Sequence, residues 1–209
     1  MSRRVGRWHA AAAGAAAAVV LGMPPAVVSA VGTLDVPGDF ATIQAAIDAA
    51  APGDAVLVAP GTYPERIDFE GKAITVASSG GPDVTVIDGG GQGRVVTFAN
   101  GERRDSVLRG FTVRNGRMTA ADGPGAGVEA LSASPTIEGN VISGNSACAE
   151  GGGIAALFGS PLIQGNTITS NASSDQGCTG AFGGGIALRG RGEGSAQVVG
   201  NTISGNRSF

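Results

Sequence analysis

Three segments of the chain repeat one pattern of apolar and polar positions. They read PTIEGNVISGN, PLIQGNTITSN and AQVVGNTISGN. In each segment, one inward-facing aliphatic residue is expected before a Gly-Asn pair and one after it. These aliphatic pairs are Ile137 and Ile142, Ile163 and Ile168, and Val198 and Ile203. Because side chains alternate between the two faces of a strand, residues five positions apart cannot share one face of a flat strand. The pattern therefore predicts two short strands joined by a bend at Gly-Asn, with both aliphatic side chains pointing inward.

A second phrase, GGGI, lies between these copies and ends at Ile154 and at Ile186, and a degenerate form ends at Val128. The segment VLRGFTVRN fits the first pattern with Phe111 at the asparagine position. The interval from Val128 to Ile154 is shorter than the interval from Ile154 to Ile186. Phrases that persist while the gaps vary are typical of stacked short strands whose turns can lengthen outward. We predict an all-β fold, a single-stranded right-handed parallel β-helix of about six coils.

The three Gly-Asn pairs place Asn140, Asn166 and Asn201 at one position of successive coils. Both residue types tolerate left-handed backbone angles, which suits a bend. Neighbouring strands lie about 4.8 Å apart, so the side-chain amides can bond along the stack. We interpret these asparagines as an internal structural ladder and not as a ligand site.

The N-terminal part of the chain divides into two predicted segments. Residues 1–30 resemble a cleaved signal peptide, with a basic start, an apolar run from Ala10 to Gly22 and small residues before the expected cleavage site. We therefore expect a bacterial protein that is secreted or surface-bound, with no membrane insertion after cleavage, and the Sec and Tat routes both remain open. Residues 31–55 are expected to carry a capping helix that begins at Asp39 as its N-cap.

The β-helix itself is predicted for residues 56–209. A solenoid must close its apolar ends, and no second cap follows the last repeat. We therefore expect the β-helix to continue beyond this sequence; an exposed edge that is covered by something else is the alternative. The predicted apolar face of the N-terminal capping helix consists of Phe40, Ile43, Ile47 and Ala50.

The amino-acid composition limits the kinds of core, partner and catalytic site that the chain can have. Aromatic residues make up only 4% of the chain, which favours an aliphatic core. The chain contains 37 glycines, which favours tight turns. Without the three signal arginines, 11 of the 14 basic residues remain against 17 acidic ones, a net charge of −6 that disfavours nucleic acid and anionic membranes. The sole histidine, His9, lies in the signal segment. Serine-histidine triads and histidine-ligated zinc are thereby excluded from the mature chain.

Cys148 and Cys178 are the only cysteines, and each precedes a GGGI phrase in successive coils. Since export favours oxidation, we predict a disulfide between them, which would stabilise the fold by about 3–4 kcal/mol. Two unpaired thiols are the alternative.

The stretches from Thr42 to Phe69 and from Ile74 to Phe98 resemble the start of many right-handed β-helix proteins of the pectate-lyase-like superfamily. This resemblance implies the fold. It does not imply one activity, because the superfamily includes lyases, hydrolases, esterases, epimerases and non-catalytic surface proteins.

Lyase members of the superfamily use a basic residue beside calcium-binding carboxylates. The resemblance implies candidates for both roles: Arg109, Arg114, Asp83, Asp88, Asp105 and Glu138. In the repeat alignment, however, Arg109 lies above Glu138 and Arg114 lies above Ser143, and no outward column gathers the carboxylates that calcium needs. We therefore predict no catalytic, cofactor or metal residues within this chain.

Two functions remain. We expect an exported, non-catalytic module that binds polysaccharide or forms part of a surface protein. The expected contacts are the variable insertions 115–125 and 171–183. We interpret Arg103 and Arg104 as a solvated turn, with contact to an acidic glycan as the alternative. The alternative is a calcium-assisted polysaccharide lyase whose catalytic residues lie on further coils.

Overall fold

The computed structural model describes residues 31–119, 122–173, 182–190 and 195–208. Within these ranges lie one helix and 22 strands, and the strands form four parallel sheets. This arrangement confirms the predicted right-handed parallel β-helix with a short N-terminal helix. No helix of the described ranges is long and apolar enough to cross a membrane.

The elements follow one another in short steps along the chain. In order they are β1 (Thr33–Val36), α1 (Ile43–Ala49), β2 (Ala55–Val58), β3 (Gly61–Tyr63), β4 (Ile67–Asp68), β5 (Thr75–Ser78), β6 (Thr85–Asp88), β7 (Val96–Phe98), β8 (Val107–Arg109), β9 (Thr112–Arg114), β10 (Arg117–Met118), β11 (Val128–Leu131), β12 (Thr136–Glu138), β13 (Val141–Ser143), β14 (Ser146–Ala147), β15 (Ile154–Leu157), β16 (Leu162–Gln164), β17 (Thr167–Thr169), β18 (Ala172–Ser173), β19 (Ile186–Arg189), β20 (Gln197–Val199), β21 (Thr202–Ser204) and β22 (Arg207–Ser208).

Each sheet collects one strand from successive coils. The seven-stranded sheet has the order β1-β2-β5-β8-β12-β16-β20, and the six-stranded sheet β21-β17-β13-β9-β6-β3. The five-stranded sheet has the order β19-β15-β11-β7-β4, and the four-stranded sheet β10-β14-β18-β22. From β8 onward a complete coil visits the seven-, six-, four- and five-stranded sheets in turn. Every stack therefore aligns the repeat phrases in the register that the sequence predicts.

The N-terminal end of the solenoid is closed by α1, which starts later than predicted. Thr42, not Asp39, is the N-cap, and its hydroxyl accepts a hydrogen bond from the Ala45 amide at 3.1 Å. Asp39 instead closes a tight turn by accepting from the Asp35 amide at 3.0 Å. The β-helix also begins before residue 56, because β1 pairs with β2 from Thr33 onward. A short polar turn therefore stands where the helix was expected to begin.

Two charged side chains from the next coil hold α1 in place. The Glu65 carboxylate accepts hydrogen bonds from the Ile43 and Gln44 amides at 3.0 and 3.1 Å. At the other end, the Lys72 ammonium donates to the Ile47 and Asp48 carbonyls, both at 2.7 Å. These charges complement the helix dipole. A helix as short as α1 is marginal alone, so packing and these contacts account for its stability.

The core is aliphatic, as the composition predicts, with a few phenylalanines in its N-terminal half. Phe69, Phe98 and Phe111 are fully buried, and the rings of Phe69 and Phe98 lie 4.2 Å apart between centroids. The inward residues of each sheet stack in columns; Val113, Ile142 and Ile168 form one of them. Side chains that do not face this core are left on the outer faces, where any binding site must lie.

Candidate functional site

The Gly-Asn bend joins the seven-stranded sheet to the six-stranded sheet. Gly139, Gly165 and Gly200 all have left-handed φ angles of 62–63°. The Asn166 amide oxygen accepts hydrogen bonds from the Asn140 backbone and side-chain nitrogens at 2.9 and 3.1 Å, and Asn201 repeats this toward Asn166. Phe111 lies at the head of the column, where its amide donates to Asn140 at 2.9 Å. These asparagines are occupied by the fold and offer nothing to a ligand.

A second ladder follows one bend later, and the sequence analysis missed it. Asn145, Asn171 and Asn206 stack in the same way, and the Asn171 amide oxygen accepts from the Asn145 side chain at 3.0 Å. The signal was present, because every repeat phrase ends in asparagine. The preceding coil has Gly116 at the ladder position, while its neighbour Asn115 adopts a left-handed φ of 57°.

The arginines considered for a lyase lie on two different sheets. Arg109 pairs with Glu138 across 3.5 Å on the outer face of the seven-stranded sheet, where 56% of the arginine side chain is exposed. Arg114 pairs with Asp88 across 2.8 Å on the six-stranded sheet. The described residues contain no group of three His, Cys, Asp or Glu that suits a metal ion. Four of the six candidates therefore form two separate ion pairs.

Asp88 is held by its surroundings and is not a free acid. Burial raises its pKa, but hydrogen bonds from Asn115, the Gly90 amide and Arg114 outweigh burial and hold the pKa below its usual value. Both Asp88 oxygens accept from the Asn115 amide at 2.9 Å. Asp88 thus fixes the glycine-rich turn that follows it. Asp83 and Asp105, the other two aspartates considered for a lyase site, are exposed.

The predicted contact surfaces are only partly described. Residues 120–121 and 174–181 lie outside the described ranges, and so does Cys178, so the disulfide with Cys148 stays a prediction. Arg104 reaches across the stack, where its guanidinium donates to the Ser160 carbonyl at 3.1 Å and to the Gln197 side chain at 3.2 Å. It therefore links coils, while Arg103 remains exposed.

A concave site lies on the outer face of the five-stranded sheet, at its N-terminal end. A cleft of about 770 Å³ opens over β4 and β7. Its charged and polar lining comes from three turns and two strands. The residues are Pro64, Arg66, Ile67, Asp68, Gly93, Arg94, Thr97, Met118 and Asp122. This volume is within the range of small-molecule and oligosaccharide sites.

Arg94 lines the back of this cleft, and a buried ion pair with Glu129 holds it from behind. Arg94 donates to the Glu129 carboxylate at 2.9 Å, and the side chains are 18% and 4% exposed. The same guanidinium donates to the Pro124 carbonyl at 2.6 Å and to the Gly125 carbonyl at 2.9 Å. Arg94 therefore ties the 122–125 segment to the sheet below it.

The electrostatics of the cleft follow from burial. Burial raises the pKa of Glu129 above its usual value, Arg94 opposes this, and nearby Asp68 adds to it. Burial also lowers the pKa of Arg94, against the attraction of Glu129, Asp122 and Asp68. Asp122 has a lowered pKa because the hydroxyl and the amide of Thr119 donate to it. The cleft therefore places guanidinium donors beside carboxylate groups.

Sequence reasoning did not find this site, because its residues come from the coils without clear repeats. Asp68, Thr97 and Glu129 occupy one outward column of the five-stranded sheet, which only the register reveals. Guanidinium groups only donate hydrogen bonds and carboxylates only accept them. The cleft can therefore bind a ligand rich in hydroxyl groups, which do both.

These sheets and columns define a right-handed parallel β-helix protein, and the resemblance to the pectate-lyase-like superfamily is confirmed for the fold. Residues 67–208 match the family described as "Protein of unknown function (DUF1565)", and the chain belongs to this family. A mutant pectin methylesterase crystallised with a hexasaccharide is similar in structure, with 12% identity and a TM-score of 0.45. The similarity covers 68% of this chain and 56% of that one, so the chain spans little more than half its length. No curated protein matches the chain.

Proposed function

We propose that this chain is an exported β-helix module that binds polysaccharide in the cleft over β4 and β7. The observation that carries the proposal is the pairing of donors and acceptors around an open volume. Arg66 and Arg94 supply guanidinium donors, and Asp68 and Asp122 supply carboxylate acceptors. Sugar hydroxyl groups match both, and a uronate carboxylate would match a guanidinium with two hydrogen bonds.

A binding role is favoured over the lyase alternative by the placement of the charges. Arg94 is held by Glu129 and by two carbonyls, so it has no freedom to act as a base. Among the described residues, Arg109 and Arg114 are each paired with one acid on separate sheets. The cleft is therefore suited to hold a ligand without changing it.

The proposal is tested by calorimetric titration with the trimer of galacturonate, whose carboxylates can meet Arg66. Arg66→Ala and Asp68→Asn are each expected to weaken binding by about tenfold or more, since one charged hydrogen bond contributes about 1.5–3 kcal/mol. Arg109→Ala, an exposed arginine outside the cleft, is the matched control and should bind like the parent protein. Unchanged binding in both cleft variants contradicts the proposal, and release of unsaturated uronide with calcium would establish the lyase instead.

Export and the disulfide are tested on the protein recovered from the culture medium. We expect its N-terminus at Val31, because the small residues before it fit a cleavage site. Mass labelling should find no reactive thiol before reduction and two after it, because Cys148 and Cys178 each stand between an asparagine phrase and a GGGI phrase of the sequence, and export favours oxidation. Two labelled thiols without reductant would contradict the disulfide, and retention inside the cell would contradict export.

A further inference from the structure

The outer face of the five-stranded sheet is open over only two of its strands. One outward column runs through Asp68, Thr97, Glu129, Ala155 and Ala187. Asp68 and Thr97 are half-buried and line the cleft. Glu129, Ala155 and Ala187 are 3%, 0% and 8% exposed, although they point away from the core. Something on the outside of the sheet therefore covers the last three strands.

The cover is backbone that folds back from the preceding turns. A Cβ atom on Gly125 would lie 3.1 Å from the Cβ atoms of both Glu129 and Ala155. A Cβ atom on Gly151 would lie 2.7 Å from the Cβ of Ala155, and one on Gly183 would lie 2.9 Å from the Cα of Ala187. All three glycines have left-handed φ angles, of 69–73°. The described parts of these turns thus lie directly on β11, β15 and β19.

The edge of this cover next to the cleft is firmly held. Arg94 binds the carbonyls of Pro124 and Gly125 on one side and Glu129 on the other. Charged hydrogen bonds of this kind are stronger than neutral ones, and burial strengthens them further. The 122–125 segment therefore acts as a fixed wall across the outer face of the sheet.

On the N-terminal side, the cleft ends at β4 and the helix α1. In the described chain β4 is the first strand of this sheet, and its backbone is bound by α1. The Gln44 side chain accepts from the Asp68 amide at 2.8 Å and donates to the Asp68 carbonyl at 3.2 Å. The open floor is therefore two strands wide, about 5 Å between strand axes. A long chain cannot lie along the stack of coils across this sheet.

From this geometry we infer that the cleft receives the end of a glycan chain, not an internal segment. The inference rests on the proposed function and specifies its ligand. A chain end can enter over β4 and β7 and stop against the wall at Arg94. An internal segment running along the stack would have to cross β11, where Gly125 occupies the surface of the sheet.

Chain length separates the two modes of binding. The galacturonate trimer is compared with polygalacturonate of about 100 units, with concentrations expressed per mole of chain. A site for chain ends should give dissociation constants within about threefold of each other, because each polymer carries one end of each kind. A site for internal segments gains from the many overlapping registers of the polymer and should bind it about tenfold or more tightly.

A variant of the wall provides a second readout. Glu129 does not line the cleft but holds Arg94, so Glu129→Ala should loosen the wall and raise the preference for polymer over trimer by about threefold or more. Glu138→Ala, which removes the exposed acid partner of Arg109, is the matched control and should leave the preference unchanged. Tighter binding of polymer by the parent protein overturns the inference alone. Failure of both probes to bind overturns the proposed function and the inference with it.

Discussion

Replacing Asn166 by alanine is expected to lower the free energy of unfolding by about 4 kcal/mol, because two buried backbone groups lose their partners. The side chain accepts from the Asn140 amide at 2.9 Å and donates to the Ile137 carbonyl at 2.9 Å. Asn166 is only 1% exposed, so water cannot replace these bonds. The measurement is guanidinium unfolding followed by circular dichroism.

Asn201→Ala is the matched control, because this residue stands at the same ladder position in the last described coil. Its side chain is more exposed than that of Asn166, so water can bond the groups left behind. We expect a smaller loss of about 1–2 kcal/mol for this variant. Equal losses of unfolding free energy at the two positions would show that burial does not strengthen the hydrogen bonds of the ladder, and would contradict this prediction.

The second large effect is expected from Arg94→Met, which leaves Glu129 buried without its cationic partner. Removing one member of a buried ion pair costs about 3–5 kcal/mol. Arg109→Met, which breaks the exposed pair with Glu138, should cost at most about 1 kcal/mol. Thermal or chemical unfolding at about pH 7 compares the two variants directly.

The loss in Arg94→Met should depend on pH in a defined direction. Burial raises the pKa of Glu129 above its usual value of 4.5. The stability contributed by a carboxyl group with a raised pKa is fully present below the usual value and is lost as the pH rises through the raised one. Without Arg94 this loss grows, so the difference from the parent protein should be smallest near about pH 4 and largest near about pH 7. The part of the difference due to the lost bonds to the Pro124 and Gly125 carbonyls should not change with pH. Adding Glu129→Leu should remove most of the difference, and a difference independent of pH would contradict this account.

The repeats made most of the fold predictable from the sequence. Asn140, Asn166 and Asn201 could be aligned because the Gly-Asn pair recurs, and the register of Arg109 over Glu138 follows from the same alignment. The cap was predicted as an element but its start was wrong, because Asp39 and Thr42 are both capable N-caps and only tertiary contacts with Glu65 choose between them. The local sequence alone therefore does not show which of these two residues is the N-cap.

The candidate site was less accessible to sequence reasoning. Glu129 alternates with apolar neighbours and therefore resembles an exposed acid, yet the turn at Gly125 buries it. Arg94 reaches Glu129 across 35 positions of the chain. Burial of an outward-facing residue depends on how a turn folds back, and the length of chain before each GGGI phrase varies from coil to coil.

The equal spacing of the two repeat phrases suggests how a β-helix of this kind can gain a coil during evolution. Val128 pairs with Ile154 and Thr136 pairs with Leu162, and the two pairs span the same length of chain. A tandem duplication of the segment from Val128 to Gly153 would begin and end at equivalent points of the coil. The duplicated segment would bring its own bends and its own asparagines, so the ladders would continue through it. The N-terminal cap and the cleft would keep their surroundings, and the rod would lengthen by about 4.8 Å. Gene duplication can therefore lengthen this β-helix one coil at a time while the cleft at its N-terminal end stays the same.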